Sequence, residues 1–484
     1  MSRKKRHASP LPSYPTGDDR LPKLPEELPE AFLARMERQL SEDDPDGYAR
    51  FLSCYRHPPV HALLLNTLRG ACAEKLPFTL SAAPVPWEPY GYYFELLPDN
   101  RPGKHPLHEA GAYYIQEPSA MLPVRAFFSP SGPGPAAVPL SGGLSVLDLC
   151  AAPGGKSTQL AMLMQGNGVL VSNEIHPVRA KTLSRNIERM GIRNAVVTNE
   201  TPERLSAFFP AFFDRILVDA PCSGEGMFRK NPAAVREWSP QAVDLCAVRQ
   251  EEILRAAVCM LAPGGLLVYS TCTFAPKEDE EQVKRFLSLH TDFVEVKQEK
   301  LLPHKAPGEG HFFALLSGDG VRVPNRASYV FPDRRLRDET SAWIENLLFD
   351  PACIGYHPER LFLSGEHLYL LPQGVPDLKG LRVLRPGLHL ADLVTDRNGL
   401  RFSPAHALSH VLLPAWAKHC IELNDQEAAL YLNGQSLRAE ALPSSAPDAS
   451  RDLLVTYGGF SLGWAKAVNG QLKNHYPKGL RGAV

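Results

Sequence analysis

Two cysteines of this 484-residue chain lie just after predicted strands, at positions where a reactive thiol is expected. Cys222 follows Asp219 after the apolar run at residues 214–219, and Cys272 follows the apolar run at residues 266–270. Short apolar runs of this kind are typical of buried strands. A single cysteine is usually a small buried hydrophobe, which would explain either residue alone. Two cysteines at the ends of two strands, one of them after an aspartate, predict instead that both thiols meet in one cleft.

A second stretch, Leu147-Asp-Leu-Cys-Ala-Ala-Pro-Gly-Gly-Lys156, has the small residues that let a ligand approach the backbone closely. An apolar run at residues 145–149 leads into it and an amphipathic run at residues 156–164 follows, which predicts a strand, a tight loop and a helix. Such a turn presents backbone N–H groups and a helix N-terminus to a ligand. The loop therefore predicts a nucleotide-type site.

Two ligands suit that loop. Gly155-Lys156-Ser157 matches the end of a P-loop, but Cys150 stands where the pattern needs its first glycine and Pro153 occupies part of the phosphate cradle. A nucleoside-type cofactor instead needs an acidic residue at the end of the next strand to bind its ribose hydroxyls, and Glu174 stands there. A P-loop NTPase remains the second alternative.

The elements that must position these residues alternate regularly from residue 144 to about residue 315. Such alternation predicts an α/β fold with a mainly parallel, doubly wound sheet and ligands at the carboxyl ends of its strands. The loop and both cysteines would then share one edge of the sheet. The predicted strands are residues 145–149, 169–173, 195–198, 214–219 and 264–270, and the predicted helices are residues 156–164, 177–190, 202–207, 239–261 and 278–289.

The rest of the chain is predicted to form further domains, because 484 residues exceed a single hydrophobic core. The aromatic and polar stretch at residues 111–123 is interpreted as a helix packed on the sheet. Turns at residues 396–399 and 433–434 favour a small β-rich barrel near the end. The predicted divisions are a basic, proline-rich tail at 1–28, a small N-terminal α/β module at 29–104, the core at 105–315, a connecting region at 316–387 and the β-rich domain at 388–484.

The composition is that of an ordinary globular protein, with 44% hydrophobic and 22% charged residues and a net charge of −1, so only local charge can argue for nucleic-acid binding. No run of about 18 apolar residues predicts a membrane span. The nine cysteines lack the Cys-x-x-Cys spacing of a zinc or redox site. We therefore expect reduced thiols, a cytoplasmic location and no metal.

Three motifs, at residues 147–156, 219–226 and 269–273, occur in the order found in the RNA cytosine-5 methyltransferases of the NSUN/Sun family, which the chain resembles over about residues 105–315. Residues 111–123 resemble the stretch that precedes that family's cofactor motif. Residues 458–466 and 472–481 are similar to the PUA-like RNA-binding end of the bacterial RsmF (YebU) branch. The resemblance implies a Rossmann-like methyltransferase core, the cofactor S-adenosyl-L-methionine, and 16S rRNA or the small ribosomal subunit as the partner. We expect the protein to be a monomer.

The resemblance also implies a mechanism that needs no metal. Carbon 5 of cytosine is a poor nucleophile, and a thiolate that adds to C6 activates it, which is covalent catalysis. In the family the Thr-Cys cysteine, here Cys272, is the nucleophile, and the Pro-Cys cysteine, here Cys222, assists release of the product. The residues alone leave these two roles open, since DNA cytosine methyltransferases use the Pro-Cys cysteine.

Further roles carry over to residues around the thiols. Asp219 is expected to hydrogen-bond the amino/N3 edge of the cytosine. Lys156 is expected to lower a thiolate pKa or orient the base, although a solvated first-turn lysine is the alternative. The cofactor contacts that carry over are Cys150, Ala151, Ala152, Pro153, Gly154, Gly155, Lys156, Glu174 and Asp219.

One position departs from the family's pattern. The aspartate that members place after the third strand is missing from Thr198-Asn-Glu-Thr-Pro202, where Asn199, Glu200 or Thr201 are the candidate replacements. The absence of a second proline and an aromatic residue after Asp219 argues against nitrogen as the methyl acceptor.

RNA contacts are expected to be electrostatic, with exposed aromatic residues beside them. Alternatives to an rRNA enzyme are a tRNA cytosine-5 methyltransferase and a noncatalytic RNA-binding ribosome-assembly factor. The predicted contacts are Arg229 and Lys230 after the Cys222 loop, Lys466, Lys473, Lys478 and Arg481 beside Trp464, His475 and Tyr476 in the tail, and the basic cluster at residues 3–6.

Overall fold

The computed structural model describes residues 28–42, 44–98, 100–127, 143–318, 332–396, 399–438, 452–468 and 471–482. The basic cluster at residues 3–6 and almost all of the predicted tail lie outside the described residues. The helices are α1 (Glu30–Ser41), α2 (Gly47–Cys54), α3 (Pro106–Glu109), α4 (Leu122–Arg125), α5 (Gly155–Leu163), α6 (Pro177–Arg189), α7 (Pro202–Phe208), α8 (Pro232–Glu237), α9 (Pro240–Met260), α10 (Glu280–Leu289), α11 (Arg334–Leu347), α12 (His406–Val411) and α13 (Asp425–Leu432).

Within the described ranges the strands form four sheets. They are β1 (His61–Leu65), β2 (Gly91–Phe94), β3 (Tyr113–Ile115), β4 (Ser145–Asp148), β5 (Val169–Asn173), β6 (Ala195–Thr198), β7 (Phe213–Asp219), β8 (Leu261–Thr271), β9 (Phe293–Leu301), β10 (His311–Gly318), β11 (Leu361–Ser364), β12 (His367–Leu370), β13 (Val383–Arg385), β14 (Leu388–Asp396), β15 (Gly399–Pro404), β16 (Cys420–Leu423), β17 (Leu437–Arg438), β18 (Asp452–Tyr457), β19 (Phe460–Val468) and β20 (Gln471–Asn474).

The central sheet has the strand order β13-β6-β5-β4-β7-β8-β10-β9, and its five strands from β6 to β8 are parallel. Successive residues of β4 and β5 pack into apolar clusters on opposite faces of the sheet, which explains their continuous apolar runs. The predicted doubly wound fold is confirmed. From β4, the strands β5 and β6 are added toward one edge of the sheet, and β7 and β8 are then added toward the opposite edge. The direction in which strands are added therefore reverses between β4 and β7. A reversal of this kind is where ligands bind in such sheets.

The connecting region also contributes to the central sheet. β13 pairs antiparallel with β6 and completes the edge of the sheet that β6 would otherwise form. Nothing in the sequence indicated this strand, because three residues are too short for a detectable alternation.

The N-terminal sheet has the order β2-β1-β3 and is antiparallel. The interpretation of residues 111–123 as one helix is wrong, because Tyr113–Ile115 is the strand β3 and a helical turn begins only at Ser119. Adjacent aromatic and β-branched residues favour a strand, and Pro118 separates that strand from the turn.

The C-terminal part contains two sheets, with the orders β11-β12-β14-β15 and β16-β18-β19-β20-β17. As expected for a hairpin, β14 pairs antiparallel with β15, with Asp396 opposite Gly399, whereas Asn433 and Gly434 follow α13 and do not form a hairpin. The last sheet shares an apolar cluster with the N-terminal sheet, in which Leu63 and Tyr113 join Tyr431 and Leu462. The N-terminal sheet and the last sheet are thus packed together. Among the described residues no helix is both long and apolar enough to cross a membrane.

Candidate active site

A cavity of about 330 Å³ lies at the carboxyl ends of β4 and β7, where the strand order reverses. Its walls combine the loop after β4, the ends of β7 and β8, the start of β10 and the stretch after β3. The lining residues used below are Gln116, Glu117, Asp148, Cys150, Lys156, Asp219, Cys272, Glu309 and His311. The sequence-predicted loop and Cys272 are therefore brought into one cavity.

The loop after β4 is held from behind by α6. Arg179 donates a hydrogen bond to the carbonyl oxygen of Ala152 at 2.8 Å, and the Asn186 amide donates to that of Pro153, also at 2.8 Å. Gly154 has φ +113°, a backbone conformation that L side chains rarely adopt, so the turn into α5 depends on glycine. The loop thus presents a fixed wall to the cavity.

Asp219 is the electrostatic centre of the cavity. Its Oδ2 accepts a hydrogen bond from Nζ of Lys156 at 2.7 Å, and its Oδ1 accepts one from Oγ of Ser270 at 2.8 Å. Nε2 of His311 lies 3.3 Å from the same Oδ1. Burial by itself would raise the pKa of Asp219, but the Lys156 ammonium and His311 more than offset it, so the pKa lies well below its usual range. Asp219 is a carboxylate at neutral pH.

The two thiols lie side by side, with Sγ of Cys222 3.4 Å from Sγ of Cys272. The hydrogen bond to Cys272 and then burial hold the pKa of the Cys222 thiol well above its usual range. Cys222 is therefore a protonated thiol at neutral pH, in direct contact with its neighbour.

The loop that carries Cys222 is tied to the loop that carries Cys272. The Gly226 N–H donates to the Cys272 carbonyl oxygen at 2.7 Å, and the hydroxyls of Ser223 and Thr273 are 2.8 Å apart. Glu225, whose side chain is fully buried, accepts hydrogen bonds from the Phe274 N–H, from the Trp238 indole and from Arg35 of α1. The N-terminal helix therefore helps to set the distance between the thiols.

Sequence reasoning missed Asp148 as a candidate contact, although it lay inside the recognised loop. Its Oδ2 accepts a hydrogen bond from Ser157 at 2.7 Å, but its buried Oδ1 has no hydrogen-bond partner. Burial raises the pKa of Asp148 to about 7, against the Ser157 hydrogen bond that lowers it. An unpaired carboxylate oxygen in the wall of a cavity fits a ligand that carries a cationic group.

Sequence reasoning also missed Gln116, Glu117, Glu309 and His311. Glu309 accepts a hydrogen bond from the Val60 N–H at 3.1 Å, and its own N–H donates to Glu117 at 2.8 Å, so the N-terminal module reaches the cavity through it. The available signal in the sequence was the apolar run that His311 opens, which is typical of a buried strand. The pairing of that strand with β8, which the structure shows, places His311 at the edge that carries Cys272.

The predicted ribose and adenine contacts do not line the cavity. Oε1 of Glu174 accepts a hydrogen bond from the His176 N–H at 2.9 Å, and its Oε2 lies 3.5 Å from Arg179. Glu200 accepts hydrogen bonds from the Arg382 N–H at 2.7 Å and from Arg204 at 2.8 Å. These two carboxylates are buried at the ends of β5 and β6 beside the loop, and their contacts with a cofactor stay predictions.

The other two candidates for the missing aspartate are also engaged. The Asn199 amide donates to the carbonyl oxygens of Glu174 at 2.7 Å and Ile175 at 2.8 Å, and Thr201 caps α7 by accepting from the Arg204 N–H. The position that departs from the family's pattern therefore lies in a turn, and the side chains of Asn199 and Thr201 form hydrogen bonds with backbone groups.

The predicted RNA contacts divide into buried and exposed groups. The Arg229 side chain is 3% exposed, lies 3.3 Å from Glu309 and donates to the Pro58 carbonyl oxygen, which gives it a structural role. Lys230 is 21% exposed, and its contact with phosphate stays a prediction. In the tail, Lys473, Lys478 and Arg481 are exposed, whereas Lys466 lies 3.5 Å from Asp452.

The expectation that Trp464 and Tyr476 offer aromatic faces to RNA is wrong. Both side chains are 2% exposed, and the Trp464 indole donates to the Ala405 carbonyl oxygen at 2.9 Å. Both rings pack in apolar clusters of the interior. Their positions beside the basic residues therefore reflect core packing and not an RNA-binding surface. His475 is the exposed aromatic side chain of the three.

Comparison with known protein families matches four models in succession along the chain. They are the N-terminal domain of 16S rRNA methyltransferase RsmF at residues 28–118, 16S rRNA methyltransferase RsmB/F at 139–317, the RsmF rRNA methyltransferase first C-terminal domain at 342–412 and the methyltransferase RsmF PUA domain at 418–482.

Whole-chain relatives extend that match. Ribosomal RNA small subunit methyltransferase F of Cronobacter sakazakii is 34% identical over 483 residues, covering 94% of this chain and 96% of the relative. The protein of the same name from Escherichia coli O17:K52:H18 is 33% identical over 485 residues with the same coverage. Among solved structures, PH0851 is similar in fold, with a TM-score of 0.52 and 24% identity over 60% of this chain and 66% of that chain.

Proposed function

Because the chain belongs to the RsmF family of 16S rRNA methyltransferases, we propose that it methylates carbon 5 of a cytosine in 16S rRNA with S-adenosyl-L-methionine as the methyl donor. The observation that carries the proposal is the pair of thiols 3.4 Å apart beside the cavity that contains Asp219. Carbon 5 needs covalent activation by a thiol, whereas an exocyclic nitrogen or a ribose hydroxyl does not. We further propose that the enzyme acts in the cytoplasm as a monomer.

The cavity suits a cationic cofactor. S-adenosyl-L-methionine carries a sulfonium and an ammonium group and supplies an electrophilic methyl group when bound. The unpaired Oδ1 of Asp148 and the fixed loop at residues 150–156 offer a carboxylate and close backbone approach to such a molecule. The residues that would hold such a cofactor are those of the loop at residues 150–156 together with Asp148 and Glu174.

The two thiols take different parts in the proposed chemistry. As a thiolate, Cys272 would add to C6 of cytosine, and the electron pair of the C5–C6 double bond would make C5 nucleophilic. C5 would then take the methyl group of the donor while the S–CH3 bond breaks and S-adenosyl-L-homocysteine leaves. Loss of the C5 proton returns an electron pair to the ring, and the C6–S bond breaks to release the Cys272 thiolate. The Cys222 thiol is a proton donor in contact with that leaving sulfur, which supports its role in release of the product.

Asp219 prepares the base for this addition. As a carboxylate it accepts a hydrogen bond from the 4-amino group and stabilises a proton on N3 while the adduct forms. Lys156 and Ser270 hold the two carboxylate oxygens in position. The partly exposed Lys230 and the exposed Lys473, Lys478 and Arg481 would bind phosphates of the RNA.

Separate substitutions of the two cysteines test the proposal. With labelled S-adenosyl-L-methionine and small ribosomal subunits, we expect Cys272→Ala to abolish both methyl transfer and covalent capture of RNA. We expect Cys222→Ala to accumulate an RNA–protein adduct that survives denaturation. Cys259→Ala, at an exposed position of α9, is the matched control and should behave as the wild type.

Each alternative has a distinct outcome in the same assay. An adduct that accumulates with Cys272→Ala would reverse the two roles. Methylation of tRNA but not of small subunits or 16S rRNA would favour the tRNA enzyme. Binding of rRNA with no methyl transfer would favour a noncatalytic assembly factor, and ATP hydrolysis unaffected by Cys272→Ala would favour the NTPase.

A further inference from the structure

Two histidines and an aspartate converge on one face of the sheet that contains β12 and β14. His367 lies on β12, while His389 and Asp392 lie on β14, and their ligand atoms all lie within 4.8 Å of one another. None of the three lines the cavity with the thiols. The function proposed above makes no use of this cluster.

A β-bulge creates the convergence. His367 pairs with Asp392 and Leu368 with Ala391, but Tyr369 pairs with His389, so Leu390 is an extra residue on β14. On a regular strand, residues three apart point to opposite faces. The extra residue brings His389 to the same face as Asp392. Bulges are found where a strand must redirect a side chain, often beside functional sites.

The distances within the cluster are short and one nitrogen is left unsatisfied. Nδ1 of His367 lies 2.6 Å and Nε2 of His389 lies 3.0 Å from the same oxygen of Asp392. Nε2 of His389 is buried and makes no hydrogen bond of acceptable geometry. A single cation between these atoms would satisfy both nitrogens and the carboxylate together.

The surroundings hold the His389 ring in place and leave one side of the cluster open to solvent. The His389 ring stacks on Tyr369, with ring centroids 4.8 Å apart and an interplanar angle of 28°. His367 is exposed, so its ring can adjust and solvent can reach the cluster. Two imidazoles and a carboxylate, with an open position for water, match the donor set that Zn²⁺ takes in tetrahedral sites.

We propose that His367, His389 and Asp392 form a binding site for a divalent transition-metal ion of the zinc class, with water as a fourth ligand. The ion joins β12 to β14, the two strands that precede and follow β13 along the chain. The cysteine spacing predicts no metal site, whereas this site takes its ligands from histidines and an aspartate on two separate strands.

Binding of Zn²⁺ to the full-length protein tests the site. After treatment with a chelator and dialysis, equilibrium dialysis against ZnCl₂ should give one more bound ion per chain for the wild type than for Asp392→Asn. His389→Phe keeps the ring stacked on Tyr369 and removes the ligand nitrogen, so it should weaken this binding at least about 100-fold. His357→Ala, at an exposed histidine of the same region, is the control and should bind as the wild type.

Two further measurements identify the ligands and the consequence. Co²⁺ bound at this site should show visible absorption of tetrahedral intensity without a thiolate charge-transfer band, and His389→Phe should lose it. Zn²⁺ should raise the Tm of the wild type and not that of His389→Phe. Equal stoichiometry and affinity in the wild type, Asp392→Asn and His389→Phe would overturn the proposal and leave a hydrogen-bonded cluster.

Discussion

Asp219 shows at the scale of a single residue why the environment, and not the residue type, decides the chemistry. Burial favours the neutral acid, yet the Lys156 ammonium 2.7 Å away keeps the carboxylate charged. The sequence motif predicted Asp219 at the end of a strand. It could not reveal that Ser270 and His311 contact Oδ1 of this aspartate. Those contacts depend on the pairing of β7 with β8 and of β8 with β10.

Substitution of Asp219 should therefore be far more costly than loss of one of its supports. We expect Asp219→Asn to lower kcat by about 10²–10⁴-fold, because the carboxylate is lost and the buried Lys156 ammonium is left unpaired. Ser270→Ala removes one hydrogen bond from a neutral hydroxyl and leaves the Asp219 charge and its contact with Lys156 in place, so it should lower kcat only about 5–10-fold. Steady-state methylation of small subunits measures both. Equal activity of Asp219→Asn and Ser270→Ala would show that the charge is not used.

At the scale of elements, the regular part of the core was predictable and the irregular parts were not. Each strand of the parallel sheet carries a continuous apolar run, because both of its faces are buried. β3 was mistaken for helix, since its three residues lie in a stretch that also contains helical turns. The position of the Cys222 loop was equally hidden, because Glu225 bonds to Arg35, which lies far away in the sequence.

The contact between the two cysteine loops gives a test at this scale. A Cβ at Gly226 would lie 2.7 Å from the Cys272 carbonyl oxygen and 3.1 Å from that of Glu309. We expect Gly226→Ala to displace Cys272 and lower kcat about 10–100-fold, since small misplacements at a reacting centre are costly. Cofactor affinity, measured by titration calorimetry, should change little.

Gly479→Ala is the matched control for that variant, because a Cβ there meets no atom within 4 Å. Its activity should equal that of the wild type. Wild-type kcat in Gly226→Ala would mean that the loops adjust without moving the thiols.

At the scale of the whole molecule, a buried arginine joins the N-terminal module to the C-terminal part. Arg69 is 3% exposed and donates hydrogen bonds to the carbonyl oxygen of His410 and to Oγ of Ser461, the latter at 2.7 Å. Burial lowers the pKa of Arg69 to about 9, so it stays charged at neutral pH. This connection between distant segments could not be predicted from one sequence.

Loss of this arginine should weaken the assembly of the chain. We expect Arg69→Met to lower the free energy of unfolding by about 2–4 kcal/mol, because the acceptors of a buried charged donor are left unsatisfied. Chemical denaturation followed by circular dichroism measures it. Arg56→Met, at an exposed arginine, should change it by less than about 0.5 kcal/mol. Similar losses in the two variants would refute this role of Arg69.

A second test at this scale concerns acid. Burial lowers the pKa of His406 to about 4, from 6.5 in the unfolded chain. Below pH 6.5 the unfolded state binds a proton that the folded state does not, so this residue should lower the free energy of unfolding as the pH falls from 6.5 to 4. The loss amounts to about 2–3 kcal/mol at most.

His406→Phe retains a ring against Tyr476 and should flatten the dependence of unfolding on pH over that range. His357→Phe should leave the dependence unchanged. If His406→Phe is as acid-sensitive as the wild type, other buried groups, such as His304 and His410, account for the effect.

The strand β13 has a consequence for synthesis of the chain. During translation, β6 and the rest of the methyltransferase core are synthesised long before Val383–Arg385, which form β13. Until then the backbone groups of Ala195–Thr198 form an open edge of apolar residues, and such edges pair with other chains. A nascent or truncated chain that ends before residue 383 should therefore depend on chaperones and aggregate when overproduced. The C-terminal part thus protects the catalytic domain from its own sheet edge, in addition to any contact with RNA.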